Sequence, residues 1–558
     1  MATFNTSPLT KEAINPSEIC QNFRKRISET GWMDITTTGQ QKKRIYPKSL
    51  LDPIFTEQAI EELLGCCCAC CASSHKEKDH PSGTLYNSYR TVLAALTLKG
   101  RIDLIWKFVD KEFHDEKVLE RVLNRPLTSG ELAGCITDDK AFVDDFCNKT
   151  QYQFFIPTIT ENPGFSFHAQ AMLPINMKKA IGSGERGRVF EAEILPGYHN
   201  LPGFEPQQTL HVAIKVFKKL EFSPPSDASS SSDSGYGSND YTYEYEFTDY
   251  DCAVDAWERE VENNHHFMKL QNKHILTMLT NISHQDEIIV YPLARMCLEK
   301  RMTGTGIGLL QRMTSMTLLD RFWNAGSKYP VDEMVRHAAD LFSALHAMHA
   351  GQEGFCGGHL DVKPANILVV QDFSLALADL GQAHFQPGPA AKFILNHRQG
   401  RDVVYGAPEK GDITQAFDLW SMGAVLCELT VFCWGGPSAI QNFTTARRKS
   451  LNGDIQTPSF HKSGQVKHSV KKQLVEVERS GDRLLVGCVD VARGLLREDP
   501  AERFPANVAA SLLLTLLGQD GQELPDDCHP DAKVLYKKFQ GAQETPDSET
   551  GIFLDPKF

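Results

Sequence analysis

The stretch that decides the reading is GGHLDVKPANILVV, residues 357–370, followed by ALADLGQA, residues 376–383. Asp361, Lys363 and Asn366 fall close together, and a second acid, Asp379, opens a glycine-containing turn downstream. Moving a phosphoryl group asks little covalent chemistry of a protein. It needs positive charge around the phosphates, oxygen ligands for a metal ion and a carboxylate that orients the acceptor hydroxyl. In this spacing Asp361 orients the acceptor, Lys363 neutralises the transferred group, and Asn366 and Asp379 offer oxygens to a divalent cation. The plain alternative for Asp379 is a carboxylate in a turn. It loses weight because Asp361 and Asn366 stand at the matching offset upstream.

Working outward toward the amino terminus, IGSGERGRVF (residues 181–190) places Gly182, Gly184 and Gly187 between two strand-like runs, with Val189 shortly after. Missing Cβ atoms let backbone amides approach phosphate oxygens there, although a lone glycine triplet is more often only a turn. VAIK, residues 212–215, follows on the next strand-like run and strengthens the reading, with Ala213 lining a nucleotide site and Lys215 reaching its phosphates. The acid expected to pair with Lys215 lies in AWEREVENNHHFMKL, residues 256–270, where Trp257, Val261 and Met268 suggest an inward stripe. Glu260 is the choice, with Glu262 and Glu258 as alternatives.

Toward the carboxy terminus, YGAPE ends at Glu409, FDLWSMGAV carries Asp418 on an apolar helix, and LLREDPAERF supplies Arg503 as a partner for Glu409. With these residues in place, the chain from about 175 to 517 resembles a eukaryotic-type protein kinase. The resemblance implies an α+β, bilobal fold, with a β-rich lobe over a helical lobe, and use of ATP and Mg2+. Lys363, two positions after Asp361, resembles the serine/threonine branch, which implies a protein hydroxyl as acceptor.

Leu360 stands where many members of that family have an arginine that receives an activation-segment phosphate, a charge-assisted contact that leucine cannot make. The segment DLGQAHFQPGPAAKFILNHRQGRDVVYGAPE, residues 379–409, contains no serine or threonine, and Tyr405 is its only hydroxyl. Activity is therefore expected without phosphorylation of this segment. Leu380 replaces the familiar phenylalanine, a modest apolar exchange. Asp402 falls where the family usually has a threonine, and its carboxylate is expected either to pair with Lys363 or to repel Asp361. The competing readings are an inactive kinase-like scaffold that binds nucleotide and partners, and a small-molecule kinase of the aminoglycoside or choline type. The APE, DLWSMG and DPAER strings weigh against the second of these.

The chain has 558 residues, enough for more than one core. Apolar content of 41% with 23% charged residues is ordinary for a globular protein, and a formal charge of -13 argues against a general nucleic-acid binder. The first residues lack a signal pattern and no transmembrane segment is expected, so the reading is intracellular, in cytoplasm or nucleus, with the 15 cysteines as thiols. The run GCCCACC, residues 65–71, invites S-acylation, and hence membrane association of the 66–71 cluster, or metal binding. A thiol-rich helix end is the bland alternative.

Four regions are expected. Residues 1–170 carry helical periodicities such as LLDPIFTEQAIEELL and NSYRTVLAALTL, a region of unknown role that would suit a regulatory partner. Residues 175–294 form a strand-rich lobe interrupted at 219–256 by a polar, serine-rich insertion that includes DSGYGS, read as disordered. Residues 295–517 form the helical lobe, and 518–558 a weakly ordered tail.

Overall fold

The computed structural model describes residues 16–65, 82–161, 165–184, 187–217, 249–303, 329–352, 354–387, 402–409, 413–448, 457–519 and 523–544. The cysteine run 66–71, the DSGYGS string and most of the expected insertion lie outside the described residues. Two compact units emerge, one of Met1–Val254 with Leu279–Tyr291 and one of Asp255–Met278 with Pro292–Phe558. The first is strand-rich beside a helical region and the second is mainly helical, an α+β class.

The first unit begins with helix α1 (Pro16–Thr30) and an antiparallel hairpin of β1 (Met33–Thr36) and β2 (Lys42–Ile45). Helix α2 (Arg90–Lys99) runs through its core, with every residue from Thr91 to Thr97 buried. It stops at Gly100, whose φ of 69° suits a residue without Cβ. Asp115, on the next long helix, accepts the Thr91 and Val92 amides at 2.8 and 2.9 Å and so satisfies the donors at the start of α2.

The strands that follow are β3 (Ile159–Thr160), β4 (Phe165–Ser166), β5 (Ile175–Gly184), β6 (Gly187–Ile194), β7 (His199–Asn200), β8 (Leu210–Phe217), β9 (Thr280–Ser283) and β10 (Glu287–Pro292). Six of them form one sheet in the order β4-β9-β10-β8-β6-β5. LHVAIKVF is almost continuously buried, whereas RVFEAEIL alternates between a buried and a more exposed face.

The boundary expected near residue 170 does not separate compact units. Ile35, Ile45 and Ile156 share one apolar cluster with Leu195 and Tyr198. The Thr36 amide donates to Asn176 Oδ1 at 3.0 Å, the Lys48 amide donates to the Tyr198 hydroxyl at 2.6 Å, and β4 pairs in parallel with β9. Local periodicity carries no sign of such long-range pairing, which is why the sequence reading ended the helical region near residue 170.

In the second unit, helix α3 (Asp249–Met268) precedes two small sheets, in which β11 (Met296–Cys297), β13 (Ile367–Val369) and β14 (Leu375–Leu377) form one, and β12 (Phe355–Gly358) and β15 (His384–Pro387) the other. Around them lie α4 (Val331–Ala350), α5 (Ala416–Arg448), α6 (His468–Glu478), α7 (Arg483–Leu495) and α8 (Ala506–Leu516). Helix α5 is long and apolar enough to cross a membrane by length and composition, but 94% of that window is buried inside the protein. It kinks at Gly436 (φ 70°, ψ -163°) just before Pro437.

Two boundaries differ from the sequence reading. Helix α3 starts at Asp249, inside the expected insertion. The expected weak tail contains α9 (Pro530–Glu544), which buries Ala532, Leu535 and Phe539 and ties Lys538 to Asp490 at 2.9 Å. Those three apolar residues share one helical face, and packing of that face orders the helix despite its acidic flanks.

Candidate active site

The chemistry-bearing loop is strung between β12 and β13. Its register is fixed by Gly358 opposite His384 on one side and Ile367 opposite Leu377 on the other. Beneath it, the fully buried Asp418 of α5 accepts the His359 amide at 2.8 Å through Oδ2 and the Leu360 amide at 2.7 Å through Oδ1. His359 is itself fully buried, with Nε2 3.1 Å from the Ala378 carbonyl. Leu360 adopts φ 61° and packs in the main apolar core. Sequence reading noted Asp418 only as an acid on an apolar helix. A carboxylate in such surroundings must find buried donors, and that was the available signal.

Asp361 is gripped from two sides. Lys363 Nζ donates to Oδ1 at 2.9 Å, and Asn366 Nδ2 donates to Oδ2 at 2.7 Å and to the backbone carbonyl at 3.0 Å. Burial pushes the Asp361 carboxyl above its usual range, opposed by the charge and hydrogen bond of Lys363. For Lys363 burial works against the charge, but Asp361, Asp402 and Asp379 together outweigh it and its pKa is raised.

Asp379 follows β14 in a left-handed conformation, φ 64°, with its side chain exposed. Leu380 next to it is fully buried, in keeping with a packing role. Helix α3 is fastened to this turn by polar groups. Asn263 Nδ2 donates to the carbonyls of Leu380 at 2.8 Å and Ala383 at 2.9 Å, while Asn264 Oδ1 accepts the Met278 amide at 2.8 Å.

Glu260 is buried on the same face, whereas Glu258 and Glu262 are exposed. A Cβ on Gly381 would come within 2.7 Å of Glu260 Oε2, so the glycine makes room for that carboxylate. The inward face is thus Ala256, Glu260, Asn263, Asn264 and Phe267 rather than the expected Trp257, Val261 and Met268, which are half-buried. Apolar spacing misled because this face bonds backbone carbonyls.

Asp402 sits 3.6 Å from Lys363 Nζ through Oδ2, while Oδ1 accepts the Val404 and Tyr405 amides at 2.8 and 3.0 Å. Of the two outcomes weighed from sequence, pairing with Lys363 is what the geometry contains. Glu409 receives Arg503 in a two-pronged pair, both contacts at 2.8 Å, with the guanidinium fully buried.

In the strand-rich unit, the glycine-bearing turn and the lysine are brought together by register. Gly182 faces Val189, Gly184 faces Gly187, Glu191 faces Ala213, and Val189 faces Lys215. A Cβ on Gly187 would meet the Val216 carbonyl at 2.6 Å, so the close approach of β8 demands glycine there. Lys215 is half-buried with Nζ 5.2 Å from the Phe217 ring centroid.

For a divalent cation, Asn366 and Asp379 are the fitting donors. The Asn366 side-chain nitrogen is committed to Asp361, which leaves the side-chain oxygen Oδ1 as the ligand atom, and the Ala378 amide donates to the Asn366 backbone carbonyl at 2.8 Å, tying Asp379's neighbour to this residue. Two hard oxygens suit magnesium, which keeps much of its shell for water and phosphate.

The family model of the protein kinase domain matches residues 255–511. The serine/threonine-protein kinase grp of Drosophila melanogaster is 31% identical over 134 residues, 23% of this chain and 25% of that protein. CBL-interacting protein kinase 16 of Oryza sativa subsp. japonica is 31% identical over 147 residues, 25% of this chain and 30% of that protein. The chain spans less than a third of the length of these relatives. Residues 255–511 are a protein kinase domain of the eukaryotic type. The matched range begins within α3 and leaves β5, β6 and β8 on its amino-terminal side.

Proposed function

We propose that the chain is a serine/threonine-type protein kinase that transfers the γ-phosphate of ATP to a protein hydroxyl. The observation that carries this is the double grip on Asp361, with Lys363 Nζ 2.9 Å from both carboxylate oxygens and Asn366 Nδ2 donating to Oδ2. A carboxylate fixed in this way is poised to orient an acceptor hydroxyl and take its proton, while Lys363 offers a positive charge to the group in transit. Gly182, Gly184, Gly187, Val189, Ala213 and Lys215 of the strand-rich unit would receive the nucleotide, and Asn366 and Asp379 of the helical unit would hold Mg2+. The cation would neutralise phosphate charge when bound. Kinase names among the relatives support the same reading.

Phosphorylation of residues 379–409 is not required in this proposal, because Leu360 is committed to the core and offers no cation. A radiolabel transfer assay with Asp361→Asn as control tests it. Incorporation that falls to background in the variant is expected. Equal incorporation in both proteins would remove the claim. The second reading, a nucleotide-binding scaffold, draws on Asp402 beside Lys363, and predicts stabilisation by ATP and magnesium with no transfer to any peptide.

A further inference from the structure

An ion pair deep in the helical unit takes no part in the site described so far. Arg447 and Glu428 have side chains only 1% and 4% exposed, with Arg447 Nη2 bonded to Glu428 Oε1. The guanidinium lies 4.0 Å from the Phe460 ring centroid and 4.5 Å from that of Phe443. Its Nε and Nη1 are buried and meet no hydrogen-bond acceptor among the described residues. Removing two charges from water costs as much as their attraction returns, and apolar replacements of similar volume are often neutral or better. Stability therefore gives no account of this pair, and what it holds becomes the question.

Glu428 Oε2 accepts the Tyr405 hydroxyl at 2.8 Å. Around that contact, Ser421 Oγ donates to the Tyr405 carbonyl at 3.0 Å, and the Phe460 amide donates to the Val404 carbonyl at 3.3 Å. The Phe460 ring packs 6.0 Å from that of Tyr405 and 5.9 Å from Phe443. Tyr405 is the single hydroxyl in residues 379–409, and its backbone amide is bonded to Asp402, which faces Lys363 next to Asp361. A chain of direct contacts thus runs from Arg447 through Glu428, Tyr405 and Asp402 to the lysine of the catalytic loop.

We propose that Tyr405, Glu428 and Arg447 are positioning residues, a permanent anchor that sets residues 402–409 against the catalytic loop and supplies the ordering that a phosphate would otherwise provide. The proposal rests on the kinase reading above. Arg447 fixes the rotamer of Glu428 by occupying one oxygen, so the other is presented at one place. Tyr405 then holds the backbone of Val404 and Gly406, and with it the orientation of Asp402. Geometric specificity is the best-attested use of a buried pair of this kind.

Two variants test the idea in the full chain. Tyr405→Phe removes a single hydroxyl, and the double variant Glu428→Leu with Arg447→Met removes the pair without leaving a lone buried charge. Each is followed by backbone amide exchange across residues 402–409, with 483–495 as internal reference, by urea unfolding, and by steady-state transfer to dephosphorylated casein. Exchange in 402–409 should rise about tenfold in both variants, KM for casein should rise by a similar factor, and KM for ATP should hold within about twofold. The urea midpoint of the double variant should stay near that of the parent. Unchanged exchange in both variants overturns the anchor, as does a parallel rise of both KM values with a collapse of the urea midpoint. If the parent transfers no phosphate while exchange still responds, the anchor stands and the kinase reading falls.

Discussion

Asp402 divides one carboxylate between two tasks, and two substitutions separate them. Oδ1 accepts the Val404 and Tyr405 amides at 2.8 and 3.0 Å, while Oδ2 lies 3.6 Å from Lys363 Nζ, against 2.9 Å for Asp361. Attraction falls as the inverse of distance, so Asp402 draws on Lys363 with about four-fifths of the energy of Asp361 in the same medium. With both side chains 25% exposed, the net value is screened to about 1 kcal/mol or less. The turn-capping bonds are worth about 1 kcal/mol together, by analogy with helix caps.

Asp402→Asn keeps an oxygen for the amides and should cost under about 1 kcal/mol, whereas Asp402→Ala loses both tasks and should cost about 2 kcal/mol. Urea unfolding at low and high salt measures this, and only the charge contribution should shrink with salt. For transfer, Asp402→Asn removes a negative charge from the place where an anionic group arrives, so kcat/KM should rise by up to about fivefold, the equivalent of 1 kcal/mol. Because Asp402 is one of the groups that raise the Lys363 pKa, its loss should also move the alkaline limb of the rate profile to lower pH. Equal stability losses in the two variants would refute the division of labour. A fall in kcat/KM for Asp402→Asn would refute the competition for Lys363.

Gly381→Ala should push the Glu260 carboxylate out of place, since the new Cβ would sit 2.7 Å from its Oε2, and transfer should fall at least about tenfold, checked by radiolabel incorporation beside a thermal melt. Glu131, hydrogen-bonded by Arg121 and by the Thr128 amide, has its carboxyl lowered from 4.5 to about 2, so its stabilising effect is complete above pH 4.5 and is lost as pH falls through about 2. Urea midpoints followed over that window should decline less steeply for Glu131→Gln than for the parent. Deleting residues 1–158 should uncover Leu195 and Tyr198 and remove the Thr36 donor to Asn176, and the remaining chain should lose its cooperative melt by circular dichroism. A truncated chain that melts as sharply as the parent would contradict the shared core.

The grouping of Asp361, Lys363 and Asn366 was legible because the three lie close in sequence, and the structure brings them into direct contact. The strands RVFEAEIL and LHVAIKVF were legible because alternation and continuous burial leave different patterns. The inward face of α3 was not, because Asn263 bonds the Leu380 and Ala383 carbonyls, Asn264 accepts the Met278 amide and Glu260 is buried against Gly381, and polar residues in that role leave no apolar stripe. Helix α9 left a fainter signal in Ala532, Leu535 and Phe539, outweighed in the reading by the acidic residues around them. The packing of β1, β2 and Ile156 on Leu195 and Tyr198 is non-local, and no window of sequence contains both partners.

The question raised by Leu360 has its answer beneath the loop rather than in front of it. A non-glycine residue at φ 61° costs roughly 1–2 kcal/mol. Asp418 offsets this by receiving the His359 and Leu360 amides, two charge-assisted bonds each worth about 1.5–3 kcal/mol in a buried setting. That geometry turns the side chain of residue 360 into the core, where leucine gains and a guanidinium without a partner would lose. The same helix, α5, also carries Ser421 and Glu428, which hold the carbonyl and hydroxyl of Tyr405. One buried helix therefore sets both the loop that bears Asp361 and residues 402–409, which face it through Asp402.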